Sequence, residues 1–162
     1  INDKVRQQAL DWSILFWGNY ARQKSLQLNN QSWEIAKQAK LPAEKYQAAV
    51  EMALEANSLN PGRGYVLNTL GIAQYRAQKY QEALATLTHA EKLNAPLYGG
   101  VSFRDLVFLA MTHFQLNSKT KAAGLLKKVK ALAKTKKVRN ADLERFIKEA
   151  ETLIQSPPAE KK

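Results

Sequence analysis

The chain has 162 residues with a formal charge of +11, 45% hydrophobic and 24% charged residues, seven Gly, five Pro and no Cys. A single domain of this size buries roughly 68–70% of its unfolded surface, and the composition excludes collagen-like, low-complexity and wholly disordered readings. Disulfides, thiolate metal sites, iron–sulfur clusters and cysteine nucleophiles are excluded with the cysteines; the longest apolar run, Leu106 to Met111, is too short for a membrane span, and no basic start followed by an apolar core marks a signal peptide.

Gly and Pro cluster at Pro42, Pro61 to Gly64, Pro96 to Gly100 and Pro157-Pro158, and the stretches between them carry apolar residues at helical spacing. In chain order they predict helices near residues 3 to 11, 12 to 26, 30 to 40, 43 to 58, 62 to 77, 80 to 93, 102 to 116, 119 to 135 and 140 to 154, with no strand. The fold class is all-α. In the second of these helices Trp12, Phe16 and Tyr20 stand at i, i+4 and i+8 with Trp17 beside them. This stripe is expected to pack against the helix that carries Trp33 and so close one end of the core; left exposed, it is a partner-binding patch. Pro61 sits near the first turn of the fifth helix, where its missing N–H costs nothing, and Asn117-Ser118 and Asn140 are candidate N-caps. Ala83, Leu84, Leu87, Ala90 and Leu93 mark one core face in the sixth helix, and Val107, Phe108, Met111 and Phe114 another in the seventh. The eighth helix carries the charge. No acidic residue lies between Asp105 and Asp142, while Lys119, Lys121, Lys127, Lys128, Lys130, Lys134, Lys136, Lys137 and Arg139 supply nine of the eleven net positive charges. A tail over 157–162 is expected to be disordered, and Ile1 in place of Met reads as the start of a piece of a longer chain.

Two segments, Tyr46 to Pro61 and Tyr80 to Asn94, align on their small residues, with Ala83 lying 34 residues after Ala49; a third, Lys121 to Val129, puts Ala122 a further 39 on, the extra length falling in the connection from Pro96 to Ser102. A fixed period of this size signals stacked helix pairs. The pattern resembles the tetratricopeptide repeat family, whose unit is a helix pair with Trp or Leu early in the first helix, Leu-Gly in its middle, small residues down the second and a closing Pro. Trp33, Ala49, Ala53, Ala56 and Pro61 match in the first copy. Leu67, Leu70-Gly71, Ala83, Leu87 and Ala90 match in the second, and Leu106, Leu109-Ala110, Ala122, Leu126 and Val129 in the third. Lys37 takes the place of the middle Gly in the first copy, and Ala95-Pro96 displaces the closing Pro in the second. A narrower likeness rests on Leu67 to Arg76, Tyr80 to Leu87, Leu93 to Pro96 and Asp105 to Met111. It is to the C-terminal repeat region of large planctomycete-type proteins that bear a serine/threonine kinase or WD-repeat region upstream, although no kinase motif occurs in this chain. The resemblance implies a right-handed α-solenoid in a single domain over 1–156: N-terminal capping helices over 1–29, repeats over 30–63, 64–97 and 103–137, and a capping helix over 140–155. Gly71 is then expected at a close helix crossing.

Sequence motifs of catalysis are missing. There is no Gly-rich phosphate loop, Gly-x-Ser-x-Gly or His-Glu-x-x-His, and His89 and His113 fall on different helices without a carboxylate cluster, which argues against an enzyme, a metal site or a cofactor. The resemblance implies a protein-interaction scaffold, an accessory module of a longer signalling protein. It transfers the family's concave peptide-binding groove onto Tyr65, Asn68, Ile72, Tyr75 and Arg76 of the second copy and Arg104, Val107, Met111 and Phe114 of the third, with Glu34 and Gln38 ahead of them. Aromatic and Met side chains there offer contact area, and Asn68, Arg76 and Arg104 offer hydrogen bonds or a carboxylate contact. The family's clamp for chaperone C-termini is disfavoured, because Glu34 takes one of its places and only Arg104 agrees. The hot spot is expected between the second and third copies, provided the same residues do not simply pack against the terminal helices. The alternative surface is basic: Lys121, Lys127, Lys128 and Lys130 toward an acidic protein, a membrane surface or nucleic acid. A merely solvated face accounts for the same lysines, and the absence of Phe, Tyr and Trp from 119–139 weighs against base stacking. Partner identity, compartment and oligomeric state are not written in the sequence.

Overall fold

The computed structural model describes residues 2–138 and 140–155. Among these the regular elements are all helical: α1 (Asp3–Ala36), α2 (Ala43–Leu59), α3 (Gly64–Arg76), α4 (Tyr80–Asn94), a turn of 3-10 helix (Ala95–Tyr98), α5 (Phe103–Gln115), α6 (Lys119–Thr135) and α7 (Ala141–Gln155). The seven α-helices pack in sequential pairs, α1 on α2, α3 on α4 and α5 on α6, each pair resting on the next, and α7 lies on α5 and α6. The expected tail over 157–162 and Arg139 of the basic run lie outside the described residues.

The turns inside the second and third pairs repeat one another. Gln78 and Asn117, 39 residues apart, both adopt positive φ. Gln78 N–H donates to the Tyr75 carbonyl and Lys79 N–H to that of Gln74; Asn117 and Ser118 do the same toward Phe114 and His113. This is the Schellman ending, in which a left-handed residue turns the chain back while satisfying the last carbonyls of the helix. Asn140 caps α7 through its side chain, accepting from Leu143 N–H at 2.9 Å. Ser118 makes no such side-chain cap, and Pro61 lies in the turn before α3, which starts only at Gly64.

Gly71 lies where α3 crosses α4. A Cβ built there would stand 2.6 Å from Leu87 Cγ and 3.2 Å from the Leu87 backbone nitrogen, so the two helices approach as closely as a bare Cα permits. Gly64 makes room in the same way for the side chain of Asn94, which bonds its carbonyl.

The three helices expected over 3–40 are one. No Pro interrupts the chain before Pro42, and Gly18, at about 1 kcal/mol relative to Ala, is too weak to break a helix of 34 residues. The C-terminal half of α1 lies on α2, with Ser25 Oγ donating to the Ala56 carbonyl at 2.7 Å and Ser32 Oγ to that of Ala49 at 2.8 Å. At a rise of about 1.5 Å per residue, α1 is roughly twice the length of the 17-residue α2. Its N-terminal half therefore overruns the bundle instead of folding back. The expected packing of Trp12, Phe16 and Tyr20 against the Trp33 helix does not occur, because those residues belong to the same helix as Trp33, and they are 74%, 65% and 53% exposed.

Closure falls to α7 instead. Phe146 is fully buried, its ring 5.0 Å from that of Phe108 on α5 and 6.1 Å from that of Trp33 on α1. One turn on, Glu149 takes both ends of the Arg76 guanidinium, Nη1 and Nη2, the second at 2.8 Å, while Arg76 Nε donates to the Ala36 carbonyl. Three helices are thus tied at one arginine.

Candidate functional site

The nine residues expected to line a continuous groove separate into two groups. Ile72, Val107 and Met111 are fully buried, Tyr75 and Asn68 nearly so, and Arg76 is held by Glu149. Ile72, Tyr75, Val107 and Met111 belong to the core, Arg76 is tied to α7, and Asn68 borders a cleft with its amide spent on Asp105. Burial is the main reason that the Tyr75 phenol is pushed up to about 12, and its ring packs against Phe108 and Tyr80. Tyr65 and Arg104 remain exposed, and Phe114 is half-buried.

Tyr65 and Arg104 open onto one cleft of about 200 Å³ between the start of α3, the start of α5 and the C-terminal part of α1, lined also by Asn29, Trp33, Tyr98 and Ser102. The Arg104 guanidinium lies 5.1 Å above the ring of Trp33, which fixes the cation at the rim while leaving its N–H donors toward solvent. Asn29 is 6% exposed, and its Oδ1, itself buried, has no hydrogen-bond partner among the described residues, as is true of Asn57 Oδ1 and Gln74 Oε1.

Behind the cleft is Asp105, fully buried. Asn68 Nδ2 donates to its Oδ1 at 2.6 Å and Asn94 Nδ2 to its Oδ2 at 2.9 Å, so both amides are committed to the fold and not to a ligand. Burial raises the Asp105 carboxyl above its ordinary range, against the opposing pull of hydrogen bonds from Ser102, Asn94 and Asn68 and of the Arg104 charge. The folded protein therefore holds this proton more tightly than the unfolded chain, and the stabilisation is fully present below the ordinary carboxylate pKa and fades as pH rises through the elevated one. Asp105→Asn, which turns one acceptor into a donor facing another donor, is expected to cost about 1–3 kcal/mol. Urea denaturation of both proteins should show that cost larger at mildly acidic pH than at neutral pH; the opposite trend would refute the assignment.

The lysines of the alternative surface all project from α6 away from its buried Ala122, Leu126 and Val129. Lys121, Lys127 and Lys128 are exposed, and Lys130 pairs with Glu151 of α7. Partial burial, then the charge of Lys121, lowers the His113 imidazole, and no group of three or more His, Asp or Glu converges among the described residues. No helix among them is long and apolar enough to cross a membrane.

Asn29 carried no signal in the sequence, being one Asn among several in a polar stretch. Asp105 had a weak one, as a lone carboxylate directly ahead of the apolar run from Leu106 to Met111. No family model matches the chain, and no curated protein does.

Proposed function

We propose that this domain is a non-enzymatic protein-interaction module, a short right-handed solenoid of tetratricopeptide-like helix pairs serving a longer signalling protein. Its binding site is the cleft between α1, α3 and α5, and its ligand a peptide segment bearing a carboxylate. The repeated turns at Gln78 and Asn117 and the tight crossing at Gly71 support the repeat reading. The observation that carries the binding reading is the exposed Arg104 guanidinium held over the Trp33 ring at the cleft. A carboxylate pairs with it, and Tyr65 and Trp33 give the ligand apolar area between them.

The test is selection of a random peptide library on the purified domain, followed by titration of the selected peptides. Arg104→Ala is expected to weaken binding about tenfold or more, the worth of a charge-assisted hydrogen bond, while leaving the melting temperature nearly unchanged. Replacing Lys127 and Lys128 with Ala should leave binding intact. Loss of binding with the lysine pair but not with Arg104 would transfer the site to α6.

A further inference from the structure

A second concave surface runs along α6 and has no part in the cleft at Arg104. Ala123, Leu126 and Ala131 form its floor, Lys127, Lys130 and Lys134 stand beside them, and Ile154 at the end of α7 supplies the opposite wall, the whole holding about 600 Å³. The floor is apolar and recessed. Leu126 is buried and Ile154 half-buried against the core, whereas the longer side chains of Lys127 and Lys134 are exposed. From Ala123 to Lys134 the groove follows α6 for about three turns.

Its charge is of one sign. Lys127, Lys130 and Lys134 stand at i, i+3 and i+7 on a single ridge, where like charges three and four residues apart destabilise a helix. Glu151 of α7 answers Lys130, but Lys127 and Lys134 have no carboxylate partner among the described residues, and α6 itself contains no acidic residue. Two unanswered cations are thus spaced about 10 Å apart along the helix axis, on the rim of an apolar floor.

We propose that this groove takes an acidic amphipathic helix of another protein, its apolar stripe on Ala123, Leu126, Ala131 and Ile154 and two carboxylates on Lys127 and Lys134. A helix laid along α6 repeats the same spacing, so carboxylates at its positions i and i+7 meet both lysines at once. Only α6 and α7 wall the groove, whereas a small-molecule site buries 70–90% of its ligand; a third helix brings the missing wall with it. A bilayer takes in an apolar face that projects into it, and here the apolar groups lie below the lysine ends. Nucleic acid would engage the lysines but leave the apolar floor unmatched, with no aromatic side chain over 119–139 on which a base could stack. The chain's own residues 156–162 offer one Glu against two Lys, and a second copy brings a charge of +11, so neither complements the ridge.

The test is titration of the whole chain, followed by fluorescence anisotropy, with an acetylated and amidated Ala-rich helix of about 18 residues, long enough to hold its shape, that bears Leu along one stripe and Glu at i and i+7 beside it. Saturable binding is expected. Lys127→Glu with Lys134→Glu should weaken it about tenfold or more, as two attractions become repulsions, and a helix with Lys in place of both Glu should bind this variant and not the original chain. Ala123→Gln with Ala131→Gln obstructs the floor without changing charge or helix propensity much, and should weaken binding by a similar factor with the melting temperature retained. Arg104→Ala should leave it unchanged, so this groove and the first cleft stand or fall separately. The proposal is overturned if binding does not saturate, if either pair of substitutions leaves it intact, if the Lys-bearing helix fails to restore it, or if phosphatidylglycerol vesicles or a DNA duplex bind more tightly and ignore the Gln pair.

Discussion

Gly71→Leu is expected to remove about 3 kcal/mol or more of folding stability, at the upper end of what overpacking costs. The first added carbon already falls 2.6 Å and 2.7 Å from Leu87 Cγ and Cδ2, and Leu87 is itself fully buried. Rotating Leu87 away gives no relief, since its backbone nitrogen is 3.2 Å from the same point. Only a parting of α3 from α4 makes space, and that opens the middle of the bundle. Against a total of about 5–15 kcal/mol for a domain, such a loss removes a large share of the stability. Urea titration measures it; Gly71→Ala should fall between the two. A cost below about 1 kcal/mol for the Leu change would mean that α3 and α4 part easily at this crossing.

The second large effect is expected at Phe146. Truncation to Ala empties a site between Phe108 and Trp33 and should cost about 3–5 kcal/mol, the usual range for a buried Phe. It also tests whether α7 is integral to the bundle. If α7 merely decorated the surface, the loss would stay near zero and hydrogen exchange at α5 would not change. Cooperative loss of protection across α3, α5 and α7 together is the expected result.

The positions of α2 to α7 were legible within a few residues, because Pro42, the Pro61-Gly62 turn, the Pro96 to Gly100 segment and Asn140 punctuate the chain in ways backbone chemistry enforces. α1 was not, since the polar stretches around Asp11 and Asn29-Asn30 look like boundaries yet a helix accommodates them without strain. The groove was read in part. Apolar periodicity identifies the inner faces of α3 and α5 but says nothing of whether another helix covers them. Arg76 and Phe108 are covered because Glu149 and Phe146, far along the chain, come to lie on them, and Ile72, Val107 and Met111 are buried in the same core. Arg104 and Tyr65 stay accessible because they stand at the starts of their helices, toward the cleft against α1. The unpaired oxygen of Asn29 depends on which atoms fail to meet, and no local pattern encodes that.

The ties made by α7 also set the order in which the molecule is completed. Arg76 and Glu149 are 73 residues apart, and Arg145 reaches the Lys37 carbonyl across 108. Helix pairs such as α3 and α4 close over short loops and form early, whereas contacts this distant must await nearly the whole chain. On the ribosome, then, Trp33 and Phe108 stay uncovered until the segment bearing Phe146 has left the exit tunnel, and the unpaired Arg76 marks the seat it will fill. Docking of α7 is therefore expected late in folding, and pulse-labelling hydrogen exchange during refolding should show α7 protected after α3 and α4.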